Sequence, residues 1–294
     1  MDSKNGRTLI AIPVILLVAG IIAWAGSQNG YTIASGIPIF ALCVGLAFII
    51  QWLVFIHAYL KKTETYFDLT GGITYLTLTW VAVLLVPEVD ARALLLAGLV
   101  SIWAVRLSTF LFKRVRAAGE DRRFREIKTS FSRFLLTWTL QGLWVSLTLA
   151  AALAAITSKT RVDLDIFSLL GFLLWVIGFG IEVQADRQKS AFRQDPVNEG
   201  KFIQTGLWAW SRHPNYFGEI MLWLGAAVIA FPALQGWQLL TLISPVFVFL
   251  LLTRVSGVPM LEKRADEKWG GQAEYEGYKA STPVLFPRPP AKTE

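Results

Sequence analysis

Two polar stretches run into apolar segments of this 294-residue chain, and their residue types are suited to hold a polar ligand. In IEVQADRQKSAFR, Glu182 and Asp186 are four residues apart and therefore share one helical face. In SRHPNYFGEI, Asn215 and Glu219 have the same spacing. Carboxylates and amides bind hydroxyls and carboxamides, so two such faces at the ends of neighbouring helices would form a site for those groups.

Cations and further polar groups surround these stretches. Lys189 and Arg193 continue the face of the two acids, and the intervening loop DPVNEGKFIQTGLW supplies Asp195, Asn198 and Lys201. Because Arg and Lys bind phosphates, the whole set matches the groups of a dinucleotide cofactor. Helix capping and loop ion pairs are the structural alternative for any one of these residues.

Several kinds of site are excluded by what the sequence contains. The only GxG, Gly178-Phe179-Gly180, lies within an apolar helical segment instead of following a strand, which excludes a Rossmann fold. The chain has only two histidines, and no carboxylates join them at ligand spacing, so we expect no metal site. The single cysteine, Cys43, excludes an intramolecular disulfide.

Two ionisable residues lie in the apolar segments of the N-terminal half. Arg106, in SIWAVRLSTF, requires an acidic partner or a bound anion. Asp68, in YFDLTGG, stands at the start of an apolar segment, ahead of two glycines that would let another element approach. Such residues in membrane segments usually mark function.

The segments that position these residues indicate an all-α, multi-pass transmembrane bundle. The chain is 54% hydrophobic and 17% charged, with a mean hydropathy of +0.50, whereas about a quarter of an ordinary globular chain is charged. Apolar runs near the length that spans a bilayer recur along it. We predict eight membrane helices, at about 8–26, 35–60, 67–86, 91–112, 134–157, 166–185, 216–234 and 237–253.

The distribution of basic residues predicts the orientation. Arg92, Lys159 and Arg161 are the only Lys or Arg on one set of connecting loops, whereas the termini and the other loops are rich in them. Positive residues favour the cytoplasmic side, so we expect both termini there. The same bias explains the net charge of +7 without a nucleic acid partner, and membrane lipids are the expected partners of the basic 113–128 stretch.

The stretches IEVQAD, DPVNEGKFIQTGLWAWSRHPNYFGEIMLWLG and SGVPMLEKRADEKWGGQAEYEGYKASTPVLFP resemble the C-terminal domain of the steroid 5-alpha-reductase family, most closely a bacterial branch of it. The likeness covers about residues 166–290 and extends more weakly to FDLTGG, VRLSTFLFKR and LQG. It implies reduction of a carbon–carbon double bond by NADPH in a lipophilic enone, steroid- or isoprenoid-like, that arrives from the bilayer.

The resemblance also implies roles for particular residues. Residues 1–157 would form the substrate cavity and residues 158–294 the cofactor-binding domain. Trp103 stands where characterised members place a tyrosine that holds the substrate carbonyl, and either Asp68 or Glu64 would be the upstream acid. Arg106 matches an arginine at the buried end of the cofactor. The family's other cofactor contacts match Glu182, Asp186, Arg193, Lys201, Asn215 and Glu219. We expect further cofactor contacts at Asn198, Arg212, His213, Tyr216, Glu262 and Arg264.

Two other functions fit part of this pattern. The isoprenylcysteine carboxyl methyltransferases share the RHPNYxGE signature and a Glu-rich, Tyr-containing tail, so S-adenosylmethionine is an alternative cofactor. They are usually shorter, and Asp186 with Arg193 better suits a phosphate-bearing cofactor. A non-catalytic lipid-binding or structural role is the third possibility. We expect an integral protein of the bacterial inner membrane, and the sequence leaves the oligomeric state open.

Overall fold

The computed structural model describes residues 3–290, with side chains described from residue 10 onward except at residue 122. Within this range the chain is all-α: the only β-type pairings are isolated bridges at Gly30–Ser158 and Thr32–Pro38. The helices in chain order are α1 (Ser3–Ser27), α2 (Ile39–Lys61), α3 (Phe67–Leu85), α4 (Ala91–Ala118), α5 (Phe131–Thr157), α6 (Ile166–Gln194), α7 (Pro214–Ala230), α8 (Ile243–Leu250), α9 (Val258–Trp269) and α10 (Ala273–Ser281).

The prediction of eight membrane helices is confirmed for the described residues, eight segments of which are long and apolar enough to cross a bilayer. The chain is an integral, multi-pass membrane protein. The last of these segments, Gly236–Trp269, is composite and contains α8, a π-helical turn at Leu251–Val255 and α9. The cytoplasmic placement of the termini stays a prediction.

Two helices extend beyond their predicted ends. α4 continues to Ala118 and α6 to Gln194, past the predicted ends at 112 and 185. The added turns are charged, and such turns stay helical in water, whereas hydropathy marks only the apolar part of a helix. As a result, Glu182, Asp186 and Arg193 all lie on one continuous helix.

The chain divides into two compact units. The first comprises residues 1–169 and 226–244, and the second comprises residues 170–225 and 245–294. Their boundaries fall within α6, near the end of α7 and within α8. The division predicted at 157/158 separates a substrate-binding part from a cofactor-binding part, and it stays a prediction. By contacts, residues 226–244 pack with the first unit.

In the first unit, α5 is the central helix and contacts each of α1 to α4. It is buried along most of its length, and its second half is rich in alanine, which lets neighbouring helices approach. A mainly aromatic cluster packs at the N-terminal end of α5. It comprises Phe55, Ala58, Phe124, Phe134 and Trp138.

The two glycines after Asp68 allow close helix packing, as expected from YFDLTGG. A Cβ on Gly72 would lie 2.3 Å from the Cβ of Ser108 on α4, and a Cβ on Gly71 would lie 2.7 Å from Nε2 of Gln141 on α5. Gln141 Nε2 also donates a hydrogen bond to the carbonyl of Phe67, at 3.0 Å. The start of α3 is therefore fixed against α4 and α5.

Arg92 joins three parts of the first unit. Its buried guanidinium donates to the carbonyls of Val162, Asp163 and Ile229 at 3.2, 2.7 and 2.5 Å, and pairs with Asp165 at 3.0 Å. A buried cation is costly unless it is paired and hydrogen-bonded, and here the carbonyls and Asp165 meet that requirement. Arg92 thus connects the start of α4 with the loop before α6 and the end of α7.

The second unit has a small core and an ordered C-terminal region. Ala185 on α6 packs with Ile203 and Trp208 from the loop, and the Trp208 indole donates to the carbonyl of Ala185 at 3.0 Å. The phenol of Tyr278 on α10 donates to the carbonyl of Trp208 at 2.7 Å. The chain is therefore helical through α9 and α10 up to Ser281, beyond the last predicted membrane segment.

Candidate functional site

The polar faces of α6 and α7 meet in the second unit. The amide Nδ2 of Asn215 donates to Oδ1 of Asp186 at 3.2 Å. Glu182, one helical turn before Asp186, is 2% exposed, and Asp186 is 7% exposed. Glu219 is half-buried, one turn beyond Asn215. Two buried carboxylates and an amide, the groups predicted from the i, i+4 spacing, thus lie where these two helices touch.

Glycines set the distance between α6 and α7 at this point. A Cβ on Gly218 would lie 2.5 Å from the carbonyl oxygen of Gly178 and 2.7 Å from the amide nitrogen of Glu182. A Cβ on Gly178 would in turn lie 2.6 Å from the carbonyl oxygen of Gly218. Distances under 3.0 Å are not found for real Cβ atoms, so the two backbones are in direct contact beside Glu182.

Pro214 begins α7, as expected from its missing N–H, and the residues before it form a second polar cluster. Nε2 of His213 is 2.7 Å from Oε1 of Glu262, and Arg212 pairs with Oε2 of the same carboxylate at 2.7 Å. Glu262 lies on α9, so this carboxylate connects α9 to the loop before α7.

Burial favours the neutral form of the His213 imidazole. Burial lowers the pKa of its imidazole below the usual range, and this effect exceeds the opposite one of the hydrogen bond to Glu262. A neutral imidazole next to a carboxylate carries its proton on the nitrogen that faces it, here Nε2. Nδ1 is then an acceptor, and it is buried without a hydrogen-bond partner among the residues that the structure describes.

Tyr216 completes this cluster. Its ring stacks on the His213 imidazole, with centroids 5.6 Å apart and planes 10° from parallel. A Cβ on Gly257, just before α9, would lie 2.7 Å from the Tyr216 ring. The absence of a side chain at this glycine therefore leaves room for the tyrosine.

The remaining predicted cofactor residues of the second unit lie nearer the solvent. Arg193, Lys201 and Arg264 are exposed. The amide of Asn198 donates to the carbonyl of Phe192 at 3.1 Å, which holds the loop after α6 in place. Lys189, one turn beyond Asp186, lies over the Trp208 ring at 4.1 Å.

In the first unit, Glu64 holds the loop between α4 and α5. Its Oε1 accepts from the backbone N–H of Asp121 at 2.9 Å, and its Oε2 accepts from Nζ of Lys128 at 2.7 Å. The carboxylate is buried. These contacts give Glu64 a structural role; the catalytic one stays a prediction.

The other predicted residues of the first unit lie on α3 and α4. Asp68 is in the first turn of α3 and interacts electrostatically with Arg123 and Arg114. Trp103 is buried, and Tyr75 packs against it edge-on, with ring centroids 5.0 Å apart. Arg106 is half-buried, and its guanidinium lies 5.2 Å from the centre of the Phe110 ring.

Two residues of interest gave no usable signal in the sequence. Ser211 is buried; its hydroxyl donates to the carbonyl of Leu285 at 2.8 Å and accepts from the N–H of His213 at 3.2 Å. Tyr75 is a buried phenol beside Trp103. Both lie among apolar or loop residues, and Leu285 and Trp103, which they contact, are remote from them in the sequence. Across residues 3–290, no group of three or more His, Cys, Asp or Glu side chains could hold a metal ion.

Comparison with known proteins gives the following likenesses. A family model described as "Protein of unknown function (DUF1295)" matches residues 54–282. An uncharacterized protein of Schizosaccharomyces pombe is 23% identical over 227 residues, which are 67% of this chain and 64% of that protein. No solved structure matches.

Enzymes of steroid metabolism are also similar to the chain. 3-oxo-5-alpha-steroid 4-dehydrogenase 1 of Rattus norvegicus is 28% identical over 120 residues, 40% of each chain. Steroid 5-alpha-reductase DET2 of Gossypium hirsutum is 38% identical over 61 residues, 21% of this chain and 24% of that one. The matches thus span less than two thirds of these relatives. They confirm the predicted resemblance to the steroid 5-alpha-reductase family.

Proposed function

The chain belongs to the family described as protein of unknown function (DUF1295), and we propose that it is a membrane-embedded, NADPH-dependent reductase. Its substrate would be a lipophilic enone, steroid- or isoprenoid-like, whose carbon–carbon double bond is reduced. We place it in the bacterial inner membrane. The observation that carries the proposal is the contact between Asp186 and Asn215, in a chain similar to steroid 5-alpha-reductases.

The residues of the second unit fit a nicotinamide dinucleotide chemically. Asp186 and Glu182 are carboxylates suited to ribose hydroxyls, and Asn215 is suited to a hydroxyl or a carboxamide. Nδ1 of His213 is a buried acceptor with no hydrogen-bond partner in the described part of the chain, so a ligand N–H or O–H would satisfy it. The exposed Arg193 and Lys201 are suited to phosphates.

We assign these side chains to binding and orientation. Asp186 and Asn215 are held together by their own hydrogen bond, so both are preorganised before a ligand arrives. Glu262 fixes the orientation of His213 through Nε2 and thereby keeps Nδ1 as an acceptor. When bound, NADPH would supply a hydride to the β-carbon of the enone.

The groups that would act on the substrate lie on α3 and α4. Asp68 is our candidate to deliver the proton that the α-carbon gains. The Trp103 indole can donate a hydrogen bond to the carbonyl oxygen but cannot release a proton at ordinary pH. The phenol of Tyr75, packed against Trp103, is a second candidate donor to that oxygen.

Binding of the two candidate cofactors to the purified protein tests this proposal. The full chain in detergent or lipid nanodiscs is titrated separately with NADPH and with S-adenosylmethionine, and binding is followed calorimetrically. We expect saturable NADPH binding and NADPH consumption when a 3-oxo-4-ene steroid or an isoprenoid enone is added. Binding of S-adenosylmethionine without NADPH would instead identify a methyltransferase, and binding of neither would support a structural or lipid-binding protein.

A further inference from the structure

The end of the chain is attached to the loop that precedes α7. The N–H of Arg212 donates to the carbonyl of Pro283 at 2.9 Å, and the N–H of Arg288 donates to the carbonyl of Trp210 at 3.0 Å. The Ser211 hydroxyl adds its bond to Leu285. Residues 283–288, here called the tail segment, therefore run alongside residues 210–212.

The tail segment has one buried face and one exposed apolar face. Leu285 is buried, whereas its neighbours Val284 and Phe286 are 38% and 65% exposed. This alternation is that of an extended chain, in which successive side chains point to opposite sides. On the neighbouring loop, Trp210 is 42% exposed. Three large apolar side chains thus project from two hydrogen-bonded segments.

The position of this surface relates it to the edge of the membrane. Trp210, Val284 and Phe286 lie outside all the membrane-competent segments found among the described residues. However, the Phe286 ring packs edge-on against Phe217, with centroids 6.0 Å apart, and Phe217 is in the first turn of α7. The exposed apolar face is therefore continuous with the end of a membrane helix.

We propose that Trp210, Val284 and Phe286 form an interfacial anchor that inserts among the lipid headgroups of the leaflet where α7 begins. Aromatic side chains are enriched at this depth because their apolar rings leave water while any polar edge stays hydrated. Arg288, two residues beyond Phe286, is suited to the lipid phosphates. This anchor is independent of the proposed reaction.

The anchor has a consequence for the candidate site. Its loop, 210–212, leads directly into His213 and Asn215, and Arg212 pairs with Glu262. Lipid contact at the tail segment would therefore hold the residues before α7 at the depth of the headgroups.

Spin-label accessibility in vesicles tests the proposal. Cys43 is the only native cysteine and is buried, so Cys43→Ala provides a background without reactive thiols. A nitroxide is attached at Phe286→Cys in that background, and collisions with oxygen and with a water-soluble nickel chelate are measured. Leu224→Cys, exposed on α7, reports a lipid environment, and Ala280→Cys, exposed on α10, reports water.

At position 286 we expect oxygen collisions well above those at position 280 and nickel collisions several-fold below them, which together define an interfacial depth. Nickel collisions equal to those at position 280 would overturn the proposal, because the side chain would then be in water. Low collision rates with both reagents would also overturn it, since a protein surface such as a second copy would then cover the face.

Discussion

Asn215 on α7 donates a hydrogen bond to Asp186 on α6, and this bond joins the polar faces of the two helices. The two residues are 29 positions apart in the sequence. The bond lies one helical turn from Glu182, whose backbone is in direct contact with Gly218. The polar contact and the close packing of α6 against α7 therefore occur at the same place in the second unit.

We predict that Asn215→Ala and Glu219→Ala each weaken NADPH binding while the protein stays folded. A hydrogen bond contributes about 0.5–1.5 kcal/mol, so a loss of about two- to thirteenfold in affinity is expected for each. Calorimetric titration of detergent-purified variants provides the measurement. Gln184→Ala, an exposed change on α6, is the control. Normal NADPH binding by both variants would show that Asn215 and Glu219 only cap the helix and do not contact the cofactor.

Asp68→Asn should lower turnover without loss of cofactor binding, because the amide cannot deliver a proton. General acid catalysis contributes about a hundredfold or more to a rate. Glu64→Gln is the comparison for the alternative acid: it weakens the contact with Lys128, so we expect a lower unfolding temperature, and a loss of turnover in this variant alone would make Glu64 the acid instead. Unchanged turnover in Asp68→Asn would remove this residue from the mechanism.

Gly218→Ala should destabilise the protein, because the new Cβ would overlap the backbone of α6. Overpacking of this kind costs about 1–3 kcal/mol. Gly180→Ala is the control on the facing helix, since a Cβ there meets nothing within 4 Å. Thermal unfolding in detergent should therefore show a decrease for the first variant and no decrease for the second.

Arg92→Met should also destabilise the protein, through the loss of the bonds to Val162, Asp163, Ile229 and Asp165. A hydrogen bond to a charged group contributes about 1.5–3 kcal/mol, so we expect a loss of at least that size. Lys159→Met, an exposed change on the loop before α6, is the control in the same thermal assay. Equal unfolding temperatures would show that the buried contacts of Arg92 are not stabilising.

The low pKa of His213 predicts that stability falls in acid. Below about pH 6.5 the unfolded chain gains a proton at this residue. The folded protein resists that proton, because burial lowers the pKa of the imidazole. The unfolded state is therefore favoured as the pH falls from about 6.5 toward the pKa of the folded protein. Above that pH range, His213 causes no loss of stability.

Unfolding temperatures measured from about pH 8 down to pH 5 check this prediction. His213→Gln keeps a polar side chain that does not titrate, so its unfolding temperature should depend less on pH than that of the wild type. The same slope in both proteins would show that His213 is not responsible.

The membrane helices could be predicted because an apolar run of sufficient length has few alternatives to a membrane helix. The charged ends of these helices could not be predicted from hydropathy, because the last turns of α4 and α6 have the composition of soluble helices. The acid–amide contact followed from i, i+4 spacing on α6 and α7. By contrast, the bond between His213 and Glu262 joins residues 49 positions apart, and no periodicity relates them. The helices α9 and α10 were not predicted, because hydropathy marks only membrane segments and these helices are mostly polar.

The contact of Gly178 with Gly218 also limits how this protein can be engineered. Since the two backbones already touch, no substitution can bring α6 and α7 closer, and any larger side chain must separate them. A change of cofactor preference would have to come from the side chains at positions such as 182, 186 and 215, while the distance between α6 and α7 stays the same. Libraries for directed evolution should therefore keep the two glycines constant.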